Sequence, residues 1–239
     1  MFFTQLRLKW RQVHLNSMNE VNYCDIYLIR HGETDWNTQG KLQGYTDIPL
    51  NEEGKRQALK LKEKLAHITF SAVFSSGLSR ANKTATIILD SNELNIIETP
   101  ALKERYMGPW EGRLTSELKE WLENQKISTD HFSKEVFLKY KWQDEIESYF
   151  DVFKRLHDFI KSVINSHIGS TILLSSHGGV LRSVLYYLDF QQGLRWQVPN
   201  CAYLKLRVYQ SSQVPNLECK IILMEHDGIK LIKKTPIPY

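Results

Sequence analysis

A polar pentapeptide, RHGET at residues 30–34, ends the first apolar run of this 239-residue chain. The run itself, IYLI at residues 26–29, has the length and composition of a buried strand. Arginine stays charged in proteins and is costly to bury without a partner. Arg30 therefore predicts a bound anion at the end of this strand. We expect His31 to lie against that anion, where its imidazole can act as a nucleophile.

Strands and helices alternate along the chain. Apolar runs predict strands at about residues 25–29, 72–74, 96–99 and 171–174, and helical patterns predict helices from Asn51 onward and at about residues 79–89, 146–167 and 180–188. The helix that Asn51 caps is expected to turn inward Ala58, Leu59, Leu61, Leu65 and Ile68. Runs at 202–208 and 220–224 are predicted as strands near the sheet edge. The alternation predicts one α/β domain with a mainly parallel sheet and helices on both faces.

Chemically active residue types follow the other predicted strands. The segment SSGLSRA ends the second strand and contains Arg80, LKE follows the third and contains Glu104, and SSHGG ends the fourth and contains His177. Ligands of parallel sheets bind beyond the carboxyl ends of the strands, so these segments are expected to meet there. Alone, each has an ordinary structural interpretation: Arg80 as an exposed helix start, Glu104 as a surface charge, His177 as a partner of local backbone. Their joint occurrence favours a site.

Phosphoryl transfer needs this set of groups. The equatorial oxygens require cationic donors, which the planar forks of Arg30 and Arg80 can supply. A neutral His31 can attack phosphorus, and His177 can donate to an oxygen. Glu104 can protonate the leaving oxygen and later accept a proton from water.

Residues 112–145 interrupt the alternation with helical patterns and no strand. An excursion of this length is expected to form a helical insert that caps the active face. The tryptophans in or beside it (Trp110, Trp121 and Trp142) are expected to pack the insert onto the body of the domain. The insert contains no pair of arginines that could clamp a second anionic group.

Composition excludes several functional classes. The formal charge of +4 is small and dispersed, which argues against nucleic acid as a partner. No stretch approaches eighteen apolar residues, so no membrane span is expected. The histidines outside the motifs have no ligand spacing, so neither a metal nor another cofactor is expected.

Cysteine usage and the chain's start bear on location and organisation. The three cysteines (Cys24, Cys201 and Cys219) lack CxxC spacing and predict free thiols in a reducing compartment, the cytoplasm. Residues 1–20 are interpreted as an extension outside a single domain spanning 21–239. A homodimer is left open.

Five segments together resemble the histidine phosphatase superfamily, in the branch that includes cofactor-dependent phosphoglycerate mutases and related phosphatases. They are RHGETDWN from residue 30, LQGYTDIPLNEEGKRQA from 42, SSGLSRANKTA from 75, LKERYMGPWEG from 102 and SSHGGVLR from 175. The match runs from about Asp25 to Val208. It implies that His31 is the phosphorylated nucleophile and Glu104 the proton donor, with Arg30, Arg80 and His177 in the phosphate pocket. Substrate-binding positions fall on Asn37, Gln43, Gly44 and Gly178.

The branch is decided by smaller differences. Mutases typically have Thr-Gly where this chain has Gln43-Gly44, and HGNSLR where it has HGGVLR. These departures and the Trp110-Glu111-Gly112 segment resemble the phosphatases, whereas Glu104-Arg105-Tyr106 resembles the mutases. We therefore predict a phosphomonoesterase acting on a small phosphorylated metabolite. A phosphoglycerate mutase and a non-catalytic module that binds phospho-ligands are the alternatives.

Overall fold

The structure is a computed structural model that describes residues 22–90, 94–192, 194–210 and 219–233. The N-terminal extension predicted for residues 1–20 lies outside the described residues. The strands are β1 (Tyr23–Arg30), β2 (Ala72–Ser75), β3 (Ile96–Glu98), β4 (Thr171–Ser176), β5 (Leu194–Gln197), β6 (Tyr203–Tyr209), β7 (Lys220–Asp227) and β8 (Lys230–Lys233). The helices are α1 (Asp35–Thr38), α2 (Glu52–Leu65), α3 (Ser79–Leu89), α4 (Thr115–Asn124), α5 (Lys134–Lys139), α6 (Tyr149–Val163) and α7 (Gly178–Leu188).

The main sheet has the order β3-β2-β4-β1-β6-β7 within the described residues. The first four of these strands run parallel, while β6 and β7 pair antiparallel. β1 and β4 are in register to their ends, where Arg30 lies opposite Ser176. The carboxyl ends of β1 to β4 therefore meet at one edge of the sheet, as the mainly parallel prediction requires. A small antiparallel sheet joins β5 to β8, and the sequence pattern did not predict it.

Helices cover both faces of the sheet because β1 alternates its side chains between two cores. Ile26 and Leu28 point into the core beneath α6 and α7, whereas Tyr27 and Ile29 point into the core beneath α2 and α3. Ala58, Leu61 and Leu65 of α2 and Ala85, Ile88 and Leu89 of α3 are buried in the second core. The predicted inward position of Leu59 was wrong, since its side chain is 49% exposed.

The insert consists of α4 and α5 and packs through its tryptophans, as predicted. Trp110 and Trp142 are buried in a third cluster with Leu118 and Leu122, and Trp121 packs against it. This cluster also contains Met107, which lines the cavity described below. The insert thus supports the active face.

Two helices begin at residues other than those predicted, the first of them because of capping. The helix expected over residues 146–167 begins at Tyr149, since Ser148 and Asp151 form a capping box, and it becomes a 3-10 turn from Ile164. The helix expected from Val180 begins at Gly178, directly after His177. This earlier start brings the backbone N–H of Gly179 into the first turn of α7.

Candidate active site

The predicted site residues meet at the carboxyl edge of the parallel strands. Arg30, His31, Asn37, Gln43, Gly44 and Glu104 line one cavity of about 120 Å³. Arg80 and His177 are fully buried beside it: the ring centroids of His31 and His177 are 5.1 Å apart, and Arg80 donates to the carbonyl of Gly44. None of the described residues between 112 and 145 lines the cavity.

His31 is held in a single tautomer by its backbone contact. Its Nδ1 lies 2.6 Å from the carbonyl oxygen of Gly32. Since a carbonyl oxygen only accepts hydrogen bonds, Nδ1 must carry the proton. In the neutral ring Nε2 then bears a lone pair. This is the arrangement that a nucleophilic imidazole requires.

The surroundings keep that ring neutral. Burial, together with the charges of Arg80 and Arg30, lowers the pKa of His31 well below its ordinary value of 6.5. Burial and the charge of Arg80 also lower the pKa of His177 well below that value. Both imidazoles are therefore uncharged at neutral pH.

His177 is oriented by the end of β2. Its Nε2 lies 2.8 Å from the hydroxyl oxygen of Ser76, and its buried Nδ1 has no hydrogen-bond partner among the described residues. The ring does not hydrogen-bond to the backbone within the described residues, although a local backbone partner was the ordinary alternative for this side chain. A ring with one nitrogen anchored and the other unpartnered can interact with a bound oxygen.

The two predicted arginines are anchored by carbonyl oxygens. Arg80 donates from Nη1 to Thr46 and from Nη2 to Gly44, each at 2.8 Å, and Arg30 donates from Nη1 to Val198 at 2.6 Å. The Nε atoms of both are buried and lack partners in the described part of the chain. A buried guanidinium group without a carboxylate partner is energetically costly, and a bound anion would stabilise it.

Gly44 shapes the turn that presents Gln43. Gly44 has φ +55°, and a Cβ there would lie 2.0 Å from Oε1 of Glu111. That carboxylate accepts hydrogen bonds from the backbone N–H groups of Tyr45, Thr46 and Met107. Gln43 is buried on this turn, with an Oε1 that no described residue contacts by a hydrogen bond.

Glu104 is positioned by backbone donors. Its Oε1 accepts from the N–H of Arg105 at 2.7 Å and from the N–H of Gly179 at 2.9 Å. A Cβ at position 179 would lie 2.1 Å from the same oxygen, so any larger residue there would displace the Glu104 carboxylate from this position. The prediction named Gly178, but of these two adjacent glycines it is Gly179 that lines the cavity. Its neighbour Gly178 packs between Arg30 and Arg182.

Asn200, which the motifs did not indicate, forms hydrogen bonds to two of the predicted residues. Its Nδ2 donates to the carbonyl oxygen of His31 and to Oδ1 of Asn37, each at 3.1 Å. The same Oδ1 also accepts from the N–H and the hydroxyl of Thr34. These hydrogen bonds hold the amide oxygen of Asn37, a residue that lines the cavity. Asn200 arrives from the loop before β6, so no local pattern around residue 31 could reveal it.

We expect Asn200→Ala to weaken inhibition by vanadate about tenfold, because it removes two partly buried hydrogen bonds, each of which typically contributes about 0.5–1.5 kcal/mol. The isosteric Asn200→Asp cannot donate to either oxygen and should weaken it similarly. The measurement is the inhibition constant in a double-mutant cycle with Asn37→Ala. Strictly additive effects of the two substitutions would contradict a positioning role for Asn200.

The neutral histidines also predict a pH dependence of stability. Unfolding exposes His31 and His177, which then bind protons below their ordinary pKa of 6.5, whereas the folded protein does not bind them there. The free energy of unfolding is therefore highest above pH 6.5. It falls as the pH decreases below that value, by up to about 1.4 kcal/mol per pH unit for each histidine. Urea unfolding at pH 7.5, 6.0 and 5.0 measures the slope. The slope should become shallower in the double variant His31→Gln/His177→Gln, and an unchanged slope would refute the assignment.

Two further findings concern other classes of site. No group of three or more His, Cys, Asp or Glu side chains that could hold a metal ion occurs within residues 22–90, 94–192, 194–210 and 219–233. Among the same residues, none of the helices is both long and apolar enough to span a membrane.

Comparison with known proteins places the chain in a family. A sequence model of the histidine phosphatase superfamily (branch 1) matches residues 26–218. The probable phosphoglycerate mutase GpmB of Escherichia fergusonii is 32% identical over 191 residues, which cover 79% of this chain and 86% of that protein.

Solved structures agree with this match. YhfR of Bacillus stearothermophilus is 27% identical with a TM-score of 0.63, covering 79% of this chain and 92% of its own. A mycobacterial glucosyl-3-phosphoglycerate phosphatase shares the fold with a TM-score of 0.67 at 20% identity, covering 84% and 98%. The resemblance inferred from the motifs is confirmed, and the chain belongs to branch 1 of the histidine phosphatase superfamily.

Proposed function

We propose that the protein is a phosphomonoesterase that hydrolyses a small phosphorylated metabolite through a phosphohistidine on His31. The observation that carries the proposal is the tautomer of His31. Its Nδ1 proton is committed to the Gly32 carbonyl, so the lone pair of Nε2 is available beside two anchored guanidinium groups. A bound phosphoryl group supplies the anion for which these arginines are arranged.

The reaction takes two steps. In the first, Nε2 of His31 bonds to phosphorus while the bond from phosphorus to the leaving oxygen breaks, and a protonated Glu104 gives its proton to that oxygen. In the second, a water oxygen bonds to phosphorus, the Glu104 carboxylate takes a proton from that water, and the P–N bond breaks to release phosphate. Arg30, Arg80 and His177 stabilise the charge on the equatorial oxygens in both steps.

Phosphoglycerate mutase activity is the second candidate. The name of the Escherichia fergusonii relative favours it, as does the presence of Arg105 and Arg182 in the cavity lining. Hydrolysis is favoured by Gln43 and by the Glu111 carboxylate that holds the turn beneath it, since both belong to the phosphatase-like features of the sequence. Both reactions use the same phosphohistidine, and they differ in whether water or a second substrate hydroxyl accepts the group.

Incubation with 3-phosphoglycerate in the presence of EDTA separates the two activities. We expect release of inorganic phosphate whether or not 2,3-bisphosphoglycerate is added as a primer, because water reaches the phosphohistidine beside Glu104. Phosphate release and 2-phosphoglycerate formation are measured in the same samples. Rapid primer-dependent formation of 2-phosphoglycerate with little free phosphate would establish the mutase instead.

A further inference from the structure

Two adjacent serines lie where β2 leads into the turn before α3. Ser75 is the last residue of β2, Ser76 follows it, and both side chains are buried. Their hydroxyl groups have different surroundings. The Oγ of Ser76 lies against the ring of His177, whereas the Oγ of Ser75 has no hydrogen-bond partner within the described residues. Ser75 is therefore a reference against which the hydroxyl of Ser76 can be compared.

The hydroxyl of Ser76 has two polar neighbours. The backbone N–H of Leu78 donates to its Oγ at 3.3 Å, and Nε2 of His177 lies 2.8 Å from the same oxygen. A serine hydroxyl can accept two hydrogen bonds but has only one proton to donate. Since the N–H of Leu78 is a donor, Nε2 of His177 is the one acceptor that the described part of the chain offers to that proton.

This arrangement sets the direction of the hydrogen bond between Ser76 and His177. If the hydroxyl donates, Nε2 bears the lone pair of the neutral ring and Nδ1 carries its proton. If Nε2 donates instead, the buried hydroxyl proton has no acceptor among the residues that the structure describes, and an unsatisfied buried donor is costly. Donation by the hydroxyl satisfies both groups and is therefore favoured.

The proton on Nδ1 matters because of where the ring lies. The ring of His177 meets that of His31 at 60°, and its buried Nδ1 has no hydrogen-bond partner in the described ranges. With a proton, Nδ1 is a donor that an oxygen of a phosphoryl group on His31 could satisfy. With a lone pair, the same atom would repel that oxygen. The tautomer of His177 thus decides whether this ring assists or opposes phosphoryl transfer.

We propose that Ser76 is a positioning residue that holds neutral His177 in the tautomer with its proton on Nδ1, an inference that rests on the proposed function. Ser76 does not line the cavity, so it acts through His177 and not on the substrate itself. The hydrogen bond from Leu78 fixes the hydroxyl oxygen, and the hydroxyl proton is directed at the imidazole. The Nδ1–H of His177 then donates to an equatorial oxygen of the transferring group.

Nitrogen-15 NMR of the histidine rings tests the tautomer in the full chain without substrate. Protonated and unprotonated ring nitrogens resonate far apart, and the signals of His177 are those that disappear in His177→Gln. In the wild-type protein we expect a proton on Nδ1 and a lone pair on Nε2. In Ser76→Ala the population of this tautomer should fall. A wild-type ring with its proton on Nε2 would overturn the inference, and this measurement needs no Ser76 variant to fold.

Kinetics test whether the tautomer matters for the reaction. Ser76→Ala should lower kcat/KM for p-nitrophenyl phosphate and weaken vanadate inhibition, each by about five- to tenfold, because binding must then select a tautomer that is only partly populated. Ser76→Thr keeps the hydroxyl and should restore both values. Ser75→Ala is the matched control, since it removes a neighbouring hydroxyl without a partner among the described residues, and it should change neither value. Equal losses in Ser75→Ala and Ser76→Ala would refute a specific role for Ser76.

A double-mutant cycle shows whether Ser76 acts through His177. Once His177→Ala has removed the imidazole, adding Ser76→Ala should cause no further loss of kcat/KM. A merely structural contribution of the hydroxyl would persist in that background. Full additivity of the two substitutions would therefore contradict the positioning role.

The proposed function fails separately. If the wild-type protein releases no phosphate from p-nitrophenyl phosphate or from any alkyl phosphate, the phosphatase assignment is overturned, and the role of Ser76 in the reaction with it. If phosphate is released but the NMR spectrum places the proton of His177 on Nε2, only the inference about Ser76 is overturned.

Discussion

Replacing His31 with alanine is expected to lower kcat for phosphomonoesters by about four orders of magnitude or more, since loss of a covalent nucleophile removes the intermediate itself. Direct attack by water on an ester held by Arg30 and Arg80 would remain, which sets the residual rate. The imidazole hydrogen-bonds to the adjacent backbone of Gly32, so the fold should survive its removal. The measurements are kcat with p-nitrophenyl phosphate and the thermal melting of the variant.

Trapping the covalent intermediate tests directly whether His31 is the nucleophile. Rapid quenching of wild-type protein with labelled substrate should trap a phosphoryl group that is stable in base, labile in acid and attached to Nε2 of His31. His177→Ala is the matched control, because it removes the other buried imidazole while leaving the nucleophile in place. That variant should still form the phosphohistidine, more slowly. Normal turnover by His31→Ala, or label on another residue, would exclude His31 as the nucleophile.

Sequence reasoning located residues that lie at strand ends. His31 and His177 follow β1 and β4 directly, and the parallel register brings those ends to one edge of the sheet. The motifs also placed Arg80 in the first turn of a helix, where a lone arginine is ordinarily exposed, and the structure buries it completely. Local sequence motifs predicted these site residues correctly as neighbours because the parallel topology of the sheet brings the strand ends together.

Other parts of the cavity come from positions that no local pattern connects. Arg105 and Arg182 stand on different elements, so a search for paired arginines within the insert could not find them. Asn200 reaches His31 only because β6 returns antiparallel beside β1. The tautomer of His31 depends on a hydrogen bond to a backbone carbonyl oxygen. Every residue has such an oxygen, so the sequence does not indicate which one is the partner. These features follow from tertiary packing, and the structure is needed to see them.

The second large effect concerns Glu104 and depends on the substrate. We expect Glu104→Gln to lower kcat/KM for an alkyl phosphate by about 10²–10⁴, the usual contribution of general acid catalysis. The loss for p-nitrophenyl phosphate should be about tenfold at most, because a nitrophenolate leaves with little need for a proton. Since kcat/KM reports the step that forms the phosphohistidine, the comparison isolates proton donation to the leaving group.

The same variant should slow the second step for every substrate, because glutamine cannot take a proton from water. With p-nitrophenyl phosphate, formation of the intermediate stays fast while its hydrolysis becomes slow, so a burst of nitrophenolate equal to the enzyme concentration is expected. Glu147→Gln is the matched control: this carboxylate bonds Arg155 and the N–H of Tyr106 and does not line the cavity. It should affect both esters alike and give no burst. Equal losses of kcat/KM for alkyl and aryl esters in Glu104→Gln would mean that Glu104 only positions the substrate, and the proton would then have to come from another group.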